Sequence, residues 1–110
     1  ALDIAGLSVP ADLVVLSACD SGKGTHVDGE GLIGLTHGFL CAGARRVLVG
    51  LWKVDDDATA ELMKAFHRAW QIKGLRVQAA LARAQAEVRK NPKWNHPRFW
   101  AAWVVWGDPR

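Results

Sequence analysis

Residues 13–24 read Leu-Val-Val-Leu-Ser-Ala-Cys-Asp-Ser-Gly-Lys-Gly, an apolar run that ends in a cysteine and a glycine-containing loop. An uninterrupted run of valine and leucine predicts a buried parallel strand over residues 13–17. Open α/β sheets collect their chemistry in the loops at the carboxyl ends of their strands. Cys19 therefore occupies the position where such a fold would place a nucleophile.

The rest of the chain alternates helical and strand patterns. Residues 30–42 have apolar side chains near helical spacing, and residues 45–51 form a second apolar run. A strand, a helix and a strand in this order form a right-handed crossover, which makes the two strands parallel. The later pattern predicts two more helices and a last strand, over residues 56–73, 76–90 and 101–106. This order predicts an α/β layered fold.

The composition is typical of a small globular domain and excludes some classes of partner. The 110 residues are 50% hydrophobic and 23% charged, enough for one small domain. The net charge is +3, but the basic residues are scattered and none clusters with exposed aromatics, so nucleic acid is not an expected partner. No apolar run approaches the roughly 20 residues of a membrane span, so no membrane partner is expected.

Cysteine usage favours a reducing compartment. Cys19 and Cys41 are the two cysteines of the chain, too few for a disulfide framework. Cys41 falls in a predicted helix and Cys19 at a strand end, which makes their pairing unfavourable on geometric grounds. Two free thiols predict a cytoplasmic protein.

Neither a cofactor nor a metal is expected. The loop sequence Gly22-Lys-Gly-Thr superficially resembles a phosphate-binding loop, but Ser17 stands where that motif needs glycine and Gly24 where it needs serine or threonine. Cys19, His26 and Asp28 lack the paired spacing of a zinc site.

Five blocks in order resemble the CHAT domain family, caspase-like domains often attached to tetratricopeptide repeats. They are Leu-Val-Val-Leu-Ser-Ala-Cys-Asp-Ser-Gly (13–22), Gly-Glu-Gly-Leu-Ile-Gly-Leu (29–35), Ala-Gly-Ala-Arg-Arg-Val (42–47), Leu-Trp-Lys-Val-Asp-Asp (51–56) and Phe-Trp-Ala-Ala-Trp-Val (99–104). The resemblance covers nearly the whole chain. It implies a caspase-like layered fold, with a mostly parallel sheet and helices on both faces.

The resemblance also implies a Cys/His dyad of which this chain holds one member. Cys19 maps onto the family's nucleophile after the fourth strand, whereas the family's histidine follows the third strand in a His-Gly motif. No histidine precedes Cys19, and the chain starts at Ala1 without an initiator methionine. Residues 1–110 are therefore expected to be the incomplete, C-terminal portion of one CHAT domain, a partner of its upstream half and inactive alone.

The resemblance implies a substrate pocket in the loop after the fifth strand, which here begins at Trp52. Trp52, Asp55 and Asp56 are the candidate substrate-binding residues, and acidic side chains there would favour a basic substrate residue. A second interpretation stays open for each. Trp52 could pack in the core, Asp55 could cap the next helix, and Asp56 could favour its positive amino end.

Two functions are consistent with these residues and with the resemblance. The first is a caspase-like cysteine endopeptidase, in which Cys19 forms a thioester with a protein or peptide substrate that water then releases. The imidazole of an upstream histidine would favour the thiolate and protonate the leaving amine. The alternative is a non-catalytic signalling or scaffold module that binds protein partners.

His26 could in principle replace the missing base, but it lies in a loop with several glycines. A catalytic base needs fixed geometry, so the favoured interpretation of His26 is a solvated loop residue.

Overall fold

A computed structural model describes residues 11–17 and 29–110 of the chain. These residues form three strands and several helices, and the α/β class predicted from the sequence is confirmed. The elements are β1 (Val14–Ser17), α1 (Gly29–Ala42), β2 (Arg46–Gly50), α2 (Asp56–His67), a π-helix (Arg68–Ile72), α3 (Val77–Arg89), 3₁₀ helices at Pro92–Trp94 and Pro97–Phe99, and β3 (Trp103–Gly107).

The described residues form two compact units. The sheet unit contains residues 11–17, 29–53 and 104–108, and so holds β1, α1, β2 and most of β3. The helical unit contains residues 54–103 and 109–110, and so holds α2, the π-helix, α3 and both 3₁₀ helices.

The three described strands form one sheet in the order β1-β2-β3. β1 and β2 are parallel, as the strand-helix-strand pattern predicts, and the register pairs Val14 with Val47 and Ser17 with Gly50. At the end of β3, the backbone amide of Asp108 donates to the carbonyl of Arg45, just before β2 begins, at 2.9 Å. The end of β3 therefore lies beside the start of β2, which makes this pair antiparallel and the sheet mixed.

The core of the sheet unit lies between α1 and the sheet. Leu32 of α1 and Val47 and Val49 of β2 are at most 2% exposed. Partly buried apolar side chains surround them, namely Val14, Leu16, Phe39, Leu40 and Val104. All five residues of β2 are buried, as expected for the central strand of the three.

The first strand, predicted to be buried, is only partly buried in the structure. Side chains along β1 alternate between half-buried and exposed, and Val15 is 46% exposed. The reason is position, because β1 lies at one edge of the described strands and pairs with β2 alone among them. Its apolar composition matches a central strand, so composition alone does not distinguish a central strand from an edge strand.

Two consecutive arginines at the start of β2 contact the chain beside both neighbouring strands. The guanidinium of Arg45 lies 3.8 Å from the carboxylates of both Asp12 and Asp108. Arg46, only 6% exposed, donates from Nη1 to the backbone carbonyl of Asp12 at 3.1 Å, and its Nη2 lies 3.9 Å from Asp108. Because Asp12 precedes β1 and Asp108 follows β3, these contacts fix one end of the sheet.

In the helical unit, α2 and α3 pack against each other through small and apolar side chains. The fully buried residues include Ala58, Leu62 and Phe66 on α2 and Val77, Ala80 and Ala84 on α3. The predicted helix over 56–73 is confirmed in position, but its last turn is π-helical. The sequence pattern did not predict the two 3₁₀ helices, which begin at Pro92 and Pro97 after the capping side chains of Asn91 and His96.

Replacing Gly107 with alanine tests the close contact between β3 and β2. Gly107 has φ of 104°, and an added Cβ would collide with the carbonyl oxygen of Arg45. Gly107→Ala should lower the free energy of unfolding by at least about 1 kcal/mol in urea denaturation followed by circular dichroism. Gly34→Ala is the matched control, because Gly34 lies in α1 with open space around it. That change should stabilise the chain by about 0.5–1 kcal/mol. Equal stability of the two variants would contradict the proposed contact.

Candidate functional site

The carboxyl ends of β1 and β2 lie at the same edge of the sheet. The two strands are parallel and the register pairs their last residues, Ser17 and Gly50. Cys19 follows Ser17 by two positions in the sequence, and Trp52 follows Gly50 by two positions. Cys19 itself lies outside the described residues, so its predicted role as nucleophile stays a prediction. The strand that leads to it and the neighbouring strand are both described.

Trp52 is a partly exposed aromatic side chain just beyond the end of β2. It is 40% exposed, and the preceding Leu51 is 45% exposed. The chain bends at these two residues directly after a strand whose five residues are all buried. Trp52 is therefore outside the buried core.

The carboxylate of Asp55 caps α2. Its Oδ2 accepts a hydrogen bond from the backbone amide of Ala58 at 3.0 Å, and its backbone carbonyl accepts one from Thr59 at 3.0 Å. These contacts satisfy amides of the first helical turn, which otherwise lack partners. The capping role that the sequence suggested is thus present, and it commits one oxygen of the Asp55 carboxylate.

Asp56 and Asp57 occupy the first turn of α2 with exposed side chains. Negative charges at this position interact favourably with the positive end of the helix dipole. No ion pair engages either carboxylate within residues 11–17 and 29–110. Asp57 is therefore as accessible as the predicted Asp56. The sequence alone gave no reason to separate them, since adjacent residues of a helix differ only in the direction they face.

The three histidines of the described region have local contacts. His37 on α1 lines a small apolar cavity of about 90 Å³ with Ile33, Leu40 and Trp106. The ring of His67 lies edge-on to Phe66, with centroids 5.5 Å apart. His96 accepts a hydrogen bond at Nδ1 from the backbone amide of Arg98 at 3.1 Å. All three are exposed and lie at the surface of their elements.

The described part of the chain has neither a cluster of metal-ligand side chains nor a membrane-spanning helix. Among residues 11–17 and 29–110, no three His, Cys, Asp or Glu side chains come together as metal ligands would. Within the same residues, no helix has the length and the apolar character needed to span a bilayer.

Comparison with known proteins gives one family and two relatives. A family model described as the CHAT domain matches residues 1–108. Tetratricopeptide repeat protein 28 from Homo sapiens and from Mus musculus are each 36% identical to this chain over 108 residues. The alignment covers 98% of this chain but only 4% of the length of each relative. No solved structure matches the chain.

Asp55→Ala separates the capping role from any other role of this residue. Loss of the cap should lower the free energy of unfolding by about 1 kcal/mol, whereas Asp55→Ser should retain most of the stability. Asp56→Ala, which removes a charge without a hydrogen bond to the backbone, should cost roughly 0.3–1 kcal/mol. Urea denaturation of the three variants gives the comparison. If Asp55→Ser is as unstable as Asp55→Ala, capping is not the reason for an acidic residue here.

Proposed function

The chain belongs to the CHAT domain family, whose fold is caspase-like, and on that basis we propose that it is the C-terminal portion of a cysteine endopeptidase domain. Cys19 is the proposed nucleophile, and a peptide bond of a protein or peptide is the proposed substrate. The histidine of the dyad is expected from sequence that precedes residue 1 in a longer protein, together with the upstream half of the sheet.

The observation that supports this proposal most strongly is the parallel pairing of β1 and β2. A nucleophile in an α/β fold needs a strand that ends at an accessible sheet edge beside a neighbouring parallel strand. β1 ends two residues before Cys19, and its partner β2 ends two residues before the exposed Trp52. The register thus favours an arrangement in which both residues serve one substrate.

The chemistry requires a base that orients and deprotonates the thiol. The sulfur of Cys19 would attack the carbonyl carbon, and the imidazolium would donate its proton to the amine as the carbon–nitrogen bond breaks. The acyl group then remains as a thioester on sulfur. Water, deprotonated by the same imidazole, would cleave the thioester to a carboxylate and restore the thiol. Each proton removed from the nucleophile is returned to a leaving group, so no external reductant or oxidant is needed.

Substrate contact is proposed for Trp52, Asp55 and Asp56. The exposed indole of Trp52 offers an apolar wall for the residue before the scissile bond. Asp56 offers a carboxylate without an ion pair among the described residues, which would attract a lysine or arginine side chain. Asp55 also caps α2 and so fixes the backbone at the start of this helix. Its proposed contribution to binding is therefore both its charge and the placement of the neighbouring Asp56.

A peptide-linked electrophile tests the assignment of the nucleophile. The chain should be produced with the upstream segment of its parent protein restored, and labelling should be followed by mass spectrometry. We expect rapid labelling that Cys19→Ala abolishes and Cys41→Ala leaves unchanged, because Cys41 is an exposed thiol on α1 away from the strand ends. Labelling should also be lost when the upstream segment is omitted. If Cys19 in the restored protein reacts no faster than a free cysteine, the non-catalytic partner-binding module replaces the peptidase.

Trp52→Ala tests the pocket separately from the nucleophile. Removal of the indole should raise KM for peptide substrates about tenfold with a smaller effect on kcat, because burial of an aromatic contact of this size provides roughly 1–3 kcal/mol. Ile72→Ala is the matched control, since Ile72 is an 80% exposed apolar side chain of the helical unit. Equal KM values for Trp52→Ala and the unmodified protein would show that Trp52 does not contact the substrate.

A further inference from the structure

Positive charge is concentrated in one part of the chain, which corrects the expectation that the basic residues are scattered. Between residues 64 and 98 the only acidic residue is Glu87, whereas nine residues are basic. These are Lys64, Arg68, Lys73, Arg76, Arg83, Arg89, Lys90, Lys93 and Arg98. All of them lie in the helical unit. The net charge of +3 conceals this segregation because most of the acidic residues lie earlier in the chain.

Two adjoining cavities of the helical unit collect part of this charge. The larger, about 280 Å³, lies between α2 and α3 and extends to Trp94. The smaller, about 90 Å³, is lined by Lys73 and Arg83. Arg68 and Glu87 line both cavities, so the two adjoin each other. We call this pair of cavities the basic groove and define it by Glu61, Lys64, Arg68, Lys73, Arg83 and Glu87.

The carboxylates of the groove already have partners, whereas three of its cations do not. Glu61 lies 3.7 Å from Lys64, and Glu87 lies 3.4 Å from Lys90. Within the described residues, no carboxylate forms an ion pair with Arg68, Lys73 or Arg83. The smaller cavity is thus lined by three cations without a described carboxylate partner and by one carboxylate that is paired elsewhere.

The π-helical turn contributes to this arrangement. The backbone amide of Lys73 donates to the carbonyl of Arg68 at 3.0 Å, so these two residues are the ends of one wide turn. Both side chains line the smaller cavity. Gly74, with φ of 72°, then reverses the chain toward α3. π-turns within helices are frequent at functional sites because they reposition side chains that a regular helix would direct elsewhere.

We propose that the basic groove binds an acidic peptide segment of a protein partner. Charge complementarity favours a ligand with several carboxylates, which would pair with Arg68, Lys73 and Arg83. A peptide fits better than nucleic acid, because a peptide can place neutral residues opposite Glu61 and Glu87, whereas a continuous phosphate backbone would place negative charge there. Ala65 and Trp94, both partly exposed, give the larger cavity apolar surface for the methylene groups of a peptide. This surface lies in the helical unit and is independent of the proposed chemistry of Cys19.

Fluorescence anisotropy with the full 110-residue chain tests the proposal. The probe is a labelled peptide of alternating Glu and Ala residues, compared with a Gln-Ala peptide and an oligothymidylate of similar length. Binding of the Glu-Ala peptide should weaken about tenfold in the double variant Arg68→Glu, Arg83→Glu, since two ion pairs of up to about 1 kcal/mol each are lost and repulsion is added. Both side chains are exposed, so the variant is expected to fold. Lys53→Glu, an equally exposed charge in the sheet unit, should change affinity less than twofold.

Three results would overturn the proposal. The first is no detectable binding of the Glu-Ala peptide at low salt, or equal binding of the Gln-Ala peptide. The second is an equal loss of affinity in Lys53→Glu and in the single variant Arg68→Glu, which change the net charge by the same amount, because equal losses would indicate a general effect of net charge. The third is tighter binding of oligothymidylate that depends on Arg68 and Arg83, which would assign the groove to nucleic acid.

Discussion

The sheet unit depends on the parallel pairing of β1 with β2 in a single register. Side chains alternate between the two faces of a strand, so this register decides which residues of β1 join the core with Val47 and Val49. It also brings Ser17 and Gly50 to the same sheet edge. The contacts of Arg45 and Arg46 with Asp12 and Asp108 fix the opposite end of the same strands. The position of the candidate site follows from these constraints.

The helical unit rests on a different interaction, the burial of small side chains between α2 and α3. Ala58, Ala80 and Ala84 are fully buried, and their small size allows the two helices to approach closely. Close approach leaves the longer basic side chains at the margins of the contact, where they line the groove. The two units therefore differ in chemistry. The sheet unit presents the carboxyl ends of two parallel strands, and the helical unit presents a basic surface.

Local sequence patterns were sufficient for the elements that have regular periodicity. The bounds of β2 and α3 agree with the sequence to within a residue at each end, and the cap of Asp55 was anticipated from its position before an apolar period. The partial exposure of β1 depends on its place at the edge of the described strands, which composition alone does not reveal. The π-turn and the basic groove were missed. A groove depends on which residues of two helices meet, and no single-helix pattern contains that information. Cys19, the proposed nucleophile, follows β1 in the sequence, and its proposed role rests on sequence and family alone.

The register of β1 and β2 limits where residues can be inserted or deleted next to the strands. A single-residue deletion between Gly50 and Trp52, or between Ser17 and Cys19, would shift one residue by one position relative to the other. Substitutions at the intervening positions, Ala18 and Leu51, leave this spacing intact. Changes of length directly after the two strands are therefore constrained by the register. Variation in length among related chains should avoid the strand ends.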